Sequence, residues 1–269
     1  NNLNINAESA ILIDGDTGKI LYEKSAYEKR APASTTKIMT ALLALEHCKT
    51  TDVATVTSEA ITSVPSGYST DLLKMGEELT IKDLLYALLL PSSNEAANVL
   101  AIHIAGSIDS FASMMNTKAM DLGCKNTHFV NCNGLDADGH LTTARDIALM
   151  SKELIITYPQ IFDYCNIWME NITHKTQKGE SEFGLTNTNK LIRQYEYATG
   201  LKTGSTGKAK FCVSATGRKG DIDLIAVIMA ADDSKARVRD AITLLNYGFG
   251  KCQKYTENCL LYTSDAADE

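Results

Sequence analysis

Three short groups of residues carry the chemistry this sequence is equipped for, and they stand in a fixed order. They are Ser34-Thr35-Thr36-Lys37, Ser92-Ser93-Asn94 and Lys202-Thr203-Gly204. The first sets a hydroxyl and an amine three residues apart, on one face of a helix. A serine hydroxyl is a weak nucleophile until a base removes its proton, and Lys37 is such a base only as the neutral amine. Burial and a second nearby cation both favour that form, and Lys202 is the candidate for the second cation. The middle group offers Ser92 as a proton relay and Asn94 as a holder of Lys37 and of a substrate amide. The third group offers a cation, a hydroxyl and a residue with no side chain. On an edge strand, Gly204 lets a peptide lie alongside, and Thr203 can bind a terminal carboxylate. The backbone N–H groups of Ser34 and Ser205 would then face a developing oxyanion. These are the parts of a serine acyl-transfer centre that uses no histidine.

Each group alone also has an ordinary reading. Ser34 to Lys37 is an acceptable helix start with a surface lysine, and Pro91-Ser92-Ser93-Asn94 is good turn and cap chemistry. Lys202 to Gly204 fits a polar turn. A second Ser-x-x-Lys, Ser205-Thr206-Gly207-Lys208, is read as accidental. The ordered triple outweighs these readings, and rival centres fail on residue type. A phosphate-binding loop at Gly204 to Lys208 lacks its leading glycine, because position 202 is lysine, and Ala209 stands where a hydroxyl is required. None of His47, His103, His128, His140 and His174 lies in a nucleophile setting. Cys124-x3-His128-x3-Cys132 has neither zinc-knuckle spacing nor a firm element beneath it, so no metal and no cofactor is expected. Buried thiols or one disulfide account for those cysteines.

The composition sets the outer bounds. A chain of 269 residues, 44% hydrophobic, supports one large domain, or one domain and a fragment of another. A net charge of -7 without a basic run argues against a nucleic-acid partner. No apolar stretch reaches the roughly 18 residues of a membrane span. No secretory leader is visible at Asn1-Asn2-Leu3-Asn4, which has the look of a mature or truncated end. Cys259 to Glu269, CLLYTSDAADE, reads as translated sequencing adapter rather than protein, and the gene is expected to continue past about Asn258.

The elements that must position these groups follow from periodicity and turn residues. Ser9 to Asp14 and Lys19 to Glu23 flank Asp14-Gly15-Asp16-Thr17-Gly18 and read as a hairpin. Pro32 opens a helix running through Leu45. Residues 52–185 read as mostly helical, with helices over Thr80 to Leu90, Glu95 to Ala105, Asp109 to Leu122 and Thr143 to Thr157. Strands return at Tyr197 to Thr203, Lys210 to Thr216 and Asp223 to Met229. A closing helix spans Ser234 to Tyr247, stopped by Gly248. The simplest assembly is α+β: one antiparallel sheet from both chain ends, flanked by helices, with a mostly helical insert.

Taken together, the triple resembles the low-molecular-mass penicillin-binding proteins, the serine D-alanyl-D-alanine carboxypeptidases. The likeness extends over about residues 7–250. It includes Asn126-Thr127-His128-Phe129, Gly134-Leu135-Asp136-Ala137-Asp138-Gly139, Ala144-Arg145-Asp146 and Thr199-Gly200-Leu201-Lys202-Thr203-Gly204. It implies a β-lactamase/transpeptidase-like fold and a catalytic domain over 1–250. Residues 251–258 would then begin a truncated C-terminal β domain, and a C-terminal amphipathic anchor would give the only membrane contact. It also implies an extracytoplasmic enzyme whose Ser34 attacks the penultimate carbonyl of the peptidoglycan stem peptide, releases D-alanine and is acylated by β-lactams. Catalytic work falls to Ser34, Lys37 and Ser92, and substrate binding to Asn94, Lys202, Thr203, Gly204 and Ser205. Two positions depart from the pattern. Asn133 stands where some relatives carry a histidine, and Thr188 in Asn187-Thr188-Asn189 stands where some carry an arginine. The second departure leaves the carboxylate to Thr203, with Lys190 or Arg193 as further candidates.

Two alternatives are weighed. A class A β-lactamase needs a glutamate-activated water, and no Glu-x-x-x-Asn loop lies between the second and third groups. A non-catalytic binder of the same cleft has no need of a nucleophile.

Overall fold

The computed structural model describes residues 2–70 and 72–265, with side chains as far as residue 252. Strands β1 (Ser9–Asp14) and β2 (Ile20–Lys24) come first, then a 3-10 turn (Ala33–Thr36) running into α1 (Lys37–His47). The middle of the chain holds β3 (Val53–Thr55), α2 (Ser58–Thr62), β4 (Glu78–Thr80), α3 (Ile81–Leu89), α4 (Asn94–Ala105), α5 (Ile108–Asp121) and α6 (Ala144–Thr157). It continues through α7 (Phe162–Cys165), β5 (Met169–Thr176), β6 (Gly179–Thr186) and α8 (Leu191–Gln194). The chain closes with β7 (Ala198–Thr206), β8 (Lys210–Lys219), β9 (Ile222–Ala231) and α9 (Ser234–Asp265).

Both chain ends share one five-stranded antiparallel sheet, in the order β2-β1-β9-β8-β7. The fold is therefore α+β as expected, and β7, the strand of Lys202 to Gly204, lies at an edge. The central strands bury both faces, which explains their nearly continuous apolar sequence. Ile11, Ile13, Ile225, Val227 and Met229 face a core shared with α1, α3, α4 and α6. Their neighbours Ala10, Leu12, Leu224, Ala226 and Ile228 face Ala241, Leu244, Leu245 and Phe249 of α9. The sheet is the middle of three layers, and the side facing α1 is where the chemistry-bearing groups gather.

Side-chain caps fix the helices of the insert. Thr80 Oγ1 accepts from Asp83 N at 3.2 Å, and Thr143 Oγ1 from Asp146 N at 3.0 Å. Ser93 Oγ accepts from Ala96 N at 3.1 Å and so starts α4. Each such cap is worth about 1 kcal/mol.

Three expectations need correction. The insert is not helices and loops alone: a second sheet, in the order β3-β4-β5-β6, includes the hairpin over 169–186. The helix expected from Pro32 begins instead as the 3-10 turn that carries Ser34. α9 does not stop at Gly248. A Cβ there would stand 2.6 Å from Leu224 Cδ1 and 2.8 Å from Leu12 Cδ2, so this glycine lets the helix lie close on the sheet. The helical backbone runs on through 251–258, where a β domain was expected to begin. Of the adapter-like stretch 259–269, the side chains and residues 266–269 lie outside the described residues. Among the described residues no helix is long and apolar enough to cross a membrane.

The cysteine alternatives also resolve. Cys48, Cys124, Cys132, Cys165 and Cys212 are free thiols. Cys124 Sγ contacts Asp146 O, whereas Cys132 Sγ contacts Asn98 Oδ1.

Candidate active site

Ser34 sits in the 3-10 turn, where side chains three apart nearly eclipse one another. Lys37, at the first residue of α1, therefore reaches back to it: Nζ lies 2.7 Å from Ser34 Oγ. The same nitrogen lies 3.1 Å from Ser92 Oγ and 2.8 Å from Asn94 Oδ1. An ammonium has three protons, and these three oxygens use them all. Lys37 is fully buried, while Ser34 and Ser92 are partly open to solvent. Burial pulls the Lys37 amine down to about 7, against the opposing influence of Cys132 and Glu95. Near neutral pH a large share of the amine is thus unprotonated, and its lone pair can accept the Ser34 proton.

Backbone strain marks both serines. Ala33, just before Ser34, has φ 50°, and Ser92 has φ 63°, each in the left-handed region that non-glycine residues avoid. Such conformations cost of order 1–3 kcal/mol and persist only where the surroundings impose them. The imposing neighbours are visible. Gly134, at φ 95°, packs its Cα against the carbonyl of Ala33, where a Cβ would collide with that oxygen. Asp136 Oδ1 accepts from Thr206 Oγ1 at 2.8 Å. The Gly134 to Gly139 segment therefore braces the turn of Ser34 and the end of β7 together.

The edge strand closes the other side. A Cβ on Gly204 would stand 2.6 Å from Ser34 N, so only glycine lets β7 come this close to the turn of Ser34. Ser205 follows it and is exposed. Lys202 is buried and donates to Thr203 O at 2.8 Å. Burial, then the charges of Lys37 and Arg237, hold the Lys202 amine well below its ordinary range. The expected influence of Lys202 on Lys37 is not what lowers that amine: burial does, whereas the Lys37 charge acts on Lys202.

Thr188 replaces the departed arginine with a different contact: its Oγ1 lies 2.8 Å from Thr203 Oγ1, and its N–H donates to Leu90 O. Lys190 and Arg193 lie elsewhere. Lys190 lines a cavity between α8 and α9, and the Arg193 guanidinium sits 4.9 Å over the Trp168 ring. Asn133 is buried, donating to Asn98 Oδ1 and accepting from Leu135 N.

The structure thus gathers Ser34, Lys37, Ser92 and Asn94 by direct hydrogen bonds and sets Gly204 against the same turn. Sequence reasoning missed two contributors: the carbonyl of Tyr68, which accepts from Asn94 Nδ2 at 2.9 Å, and Glu95, buried beneath Ser93; Thr188 it read only as the loss of an arginine. Tyr68 works through its backbone, so no side-chain type marks it. Glu95 directly follows the second group and was within reach. The arrangement can deprotonate a hydroxyl, hold a tetrahedral centre beside backbone N–H groups, and pass the proton on through Ser92.

Comparison with known proteins is consistent with this geometry. A family model described as D-alanyl-D-alanine carboxypeptidase matches residues 1–233. The chain is 40% identical over 254 residues to D-alanyl-D-alanine carboxypeptidase DacF of Bacillus subtilis, covering 93% of this chain and 64% of that protein. It is 37% identical to DacC of Escherichia coli, covering 91% and 62%. It therefore spans just under two thirds of the length of these relatives. The crystal structure of the Streptomyces K15 DD-transpeptidase superposes with a TM-score of 0.88 at 30% identity, covering 93% of this chain and 99% of that one. On the family match, the identities and the shared fold, this chain belongs to the D-alanyl-D-alanine carboxypeptidase family, Peptidase_S11.

Proposed function

We propose that this chain is a serine DD-carboxypeptidase that removes the terminal D-alanine from peptidoglycan stem peptides through an acyl-enzyme on Ser34. The observation that carries the reading is the buried Lys37 amine within 2.7 Å of Ser34 Oγ and 3.1 Å of Ser92 Oγ. Ser34 Oγ attacks the penultimate carbonyl while its proton passes to Lys37. The N–H groups of Ser34 and Ser205 face the oxyanion. Lys37 returns the proton through Ser92 to the leaving amine of D-alanine, the C–N bond breaks, and an ester remains. Water, deprotonated by the same amine, then hydrolyses it. Thr203, oriented by Thr188, takes the terminal carboxylate, with Lys202 supplying positive charge beneath it, and Asn94 holds Lys37 and the substrate amide. Gly204 leaves room for the peptide along β7. β-Lactams acylate the same serine and leave slowly.

The substrate polymer lies outside the cytoplasmic membrane, which places the enzyme there. The catalytic unit is residues 1–250, with a subdomain of helices and the second sheet over about 52–185. Attachment to the membrane surface through a C-terminal anchor belongs to the same proposal.

Intact-mass spectrometry after benzylpenicillin tests the nucleophile. One added penicillin on the wild type and none on Ser34→Ala is expected. Release of D-alanine from diacetyl-Lys-D-Ala-D-Ala tests the reaction. Binding without release supports the binder, and rapid penicillin turnover supports a β-lactamase.

A further inference from the structure

Glu95 is a buried carboxylate, 1% exposed, that makes no ion pair among the described residues. Neutral donors hold its charge instead. Ser69 Oγ donates to Oε1, and Thr70 N lies 3.3 Å from the same oxygen. Thr70 Oγ1 donates to Oε2 at 3.0 Å, and Ser93 Oγ lies 3.4 Å from it. Ser93 Oγ also lies 3.2 Å from Thr70 Oγ1. A buried charge without a counter-ion is costly unless such hydrogen bonds compensate it. A first-turn helix cap alone does not require one, since Ser93 already caps α4.

We propose that Glu95 is a positioning residue for the acyl-transfer centre: it fastens the strap of residues 68–70 to the floor of the cleft and thereby fixes Asn94 against Lys37. This rests on the reading of Ser34 as nucleophile. The connection is continuous. Glu95 holds Ser69 and Thr70, and their neighbour Tyr68 offers its carbonyl to Asn94 Nδ2 at 2.9 Å. That bond turns Asn94 Oδ1 toward Lys37 Nζ, 2.8 Å away. An amide freed from the strap can rotate and present its NH2 to the ammonium, removing one of its three acceptors.

Glu95 also acts by charge. The titratable groups facing Lys37 are Glu95 from α4, the Cys132 thiol from the loop before Gly134, and Lys202 from β7. Glu95 favours the protonated amine and so opposes burial. Removing its charge lowers the pH at which Lys37 becomes a base.

Two variants separate the strap from the charge. E95Q removes the charge and weakens the strap, whereas S69A/T70A releases the strap and leaves the charge. Benzylpenicillin acylation is followed by intact mass from pH 5.5 to 9, with hydrogen exchange at residues 68–70. Both variants should exchange faster there and lose roughly tenfold in maximal acylation rate, the equivalent of one good hydrogen bond. Only E95Q should move the midpoint of the acidic limb, downward by about half a unit or more. A wild-type rate and exchange in S69A/T70A overturns the proposal, as does an unmoved midpoint in E95Q. If E95Q does not fold, the S69A/T70A arm decides alone. Failure of penicillin to acylate the wild type rejects the nucleophile instead, and exchange at 68–70 in S69A/T70A still decides whether Glu95 holds the strap.

Discussion

In the proposed reaction a single amine carries the chemistry, and its environment sets the pH at which acylation would proceed. Lys37 has no carboxylate bonded to it; its acceptors are two hydroxyls and an amide. Burial lowers its pKa to about 7. Acylation needs the neutral form, so the rate should rise with pH through a midpoint near 7 and level off above it. Lys37→Arg keeps a cation and its donors, but a guanidinium stays protonated throughout this range. Acylation by benzylpenicillin should therefore fall about 100-fold or more across pH 6 to 9, the usual worth of a general base. A Lys37→Arg protein that retains the wild-type rate and midpoint would transfer the base role to another group. Lys202, the other buried lysine, donates to the Thr203 carbonyl of its own strand and makes no hydrogen bond to Ser34, which makes it a poor substitute.

Elements matter here through how closely they approach. The turn of Ser34 is held between two glycines from different parts of the chain, Gly134 below Ala33 and Gly204 beside Ser34 N. Gly134→Ala places a Cβ on the Ala33 carbonyl at a φ of 95°, so the turn or the 134–139 segment must move. A cost of about 1–3 kcal/mol in urea denaturation is expected, together with a larger proportional loss of acylation. A stability loss with unchanged acylation would show that the brace does not reach the nucleophile. The sequence made these elements legible to different degrees. The first hairpin, the capped helices and the three late strands carry apolar alternation and cap residues, and they stand within a few residues of where expected. The hairpin over 169–186 does not: the two buried positions of β5 alternate, but one of them is His174, and along β6 only Leu185 is buried, so no apolar alternation marks either strand. Gly248 misled for the opposite reason. Glycine normally ends a helix, but here it is selected by the approach of Leu12 and Leu224, a tertiary demand that no local window contains. Within the site, the three groups showed which side chains would meet. Residue types could not show the strap carbonyl of Tyr68 or the left-handed backbone at Ala33 and Ser92.

Across the whole molecule, the buried bases make stability depend on pH. His140, in the 128–141 loop, joins that loop to the turn before α1. Its Nε2 lies 2.9 Å from Thr36 Oγ1, and its Nδ1 accepts from Val130 N at 2.9 Å. Accepting at Nδ1 requires the neutral ring, and burial, with His128 adding to it, lowers its pKa to about 4 from 6.5. Between those values the unfolded chain binds the proton and the folded chain does not, so stability rises with pH across the window. The full effect is on the order of 3 kcal/mol, lost as pH falls from about 6.5 toward 4. Asp83 and Asp223, whose carboxyls burial raises, work in the opposite direction, but both remain partly solvated and are the smaller influence. Lys37 and Lys202, also depressed by burial, continue the same upward trend above pH 7. Urea midpoints of the wild type should therefore climb from pH 4.5 to 6.5, and His140→Gln, which keeps a polar group without a titrating ring, should flatten that climb. Equal slopes in the two proteins would remove His140 from the account. The same substitution should spare the Lys37 titration, because His140 is not among the groups that set it. Acid sensitivity of the fold and the pH optimum of acylation are thus separable properties of one molecule.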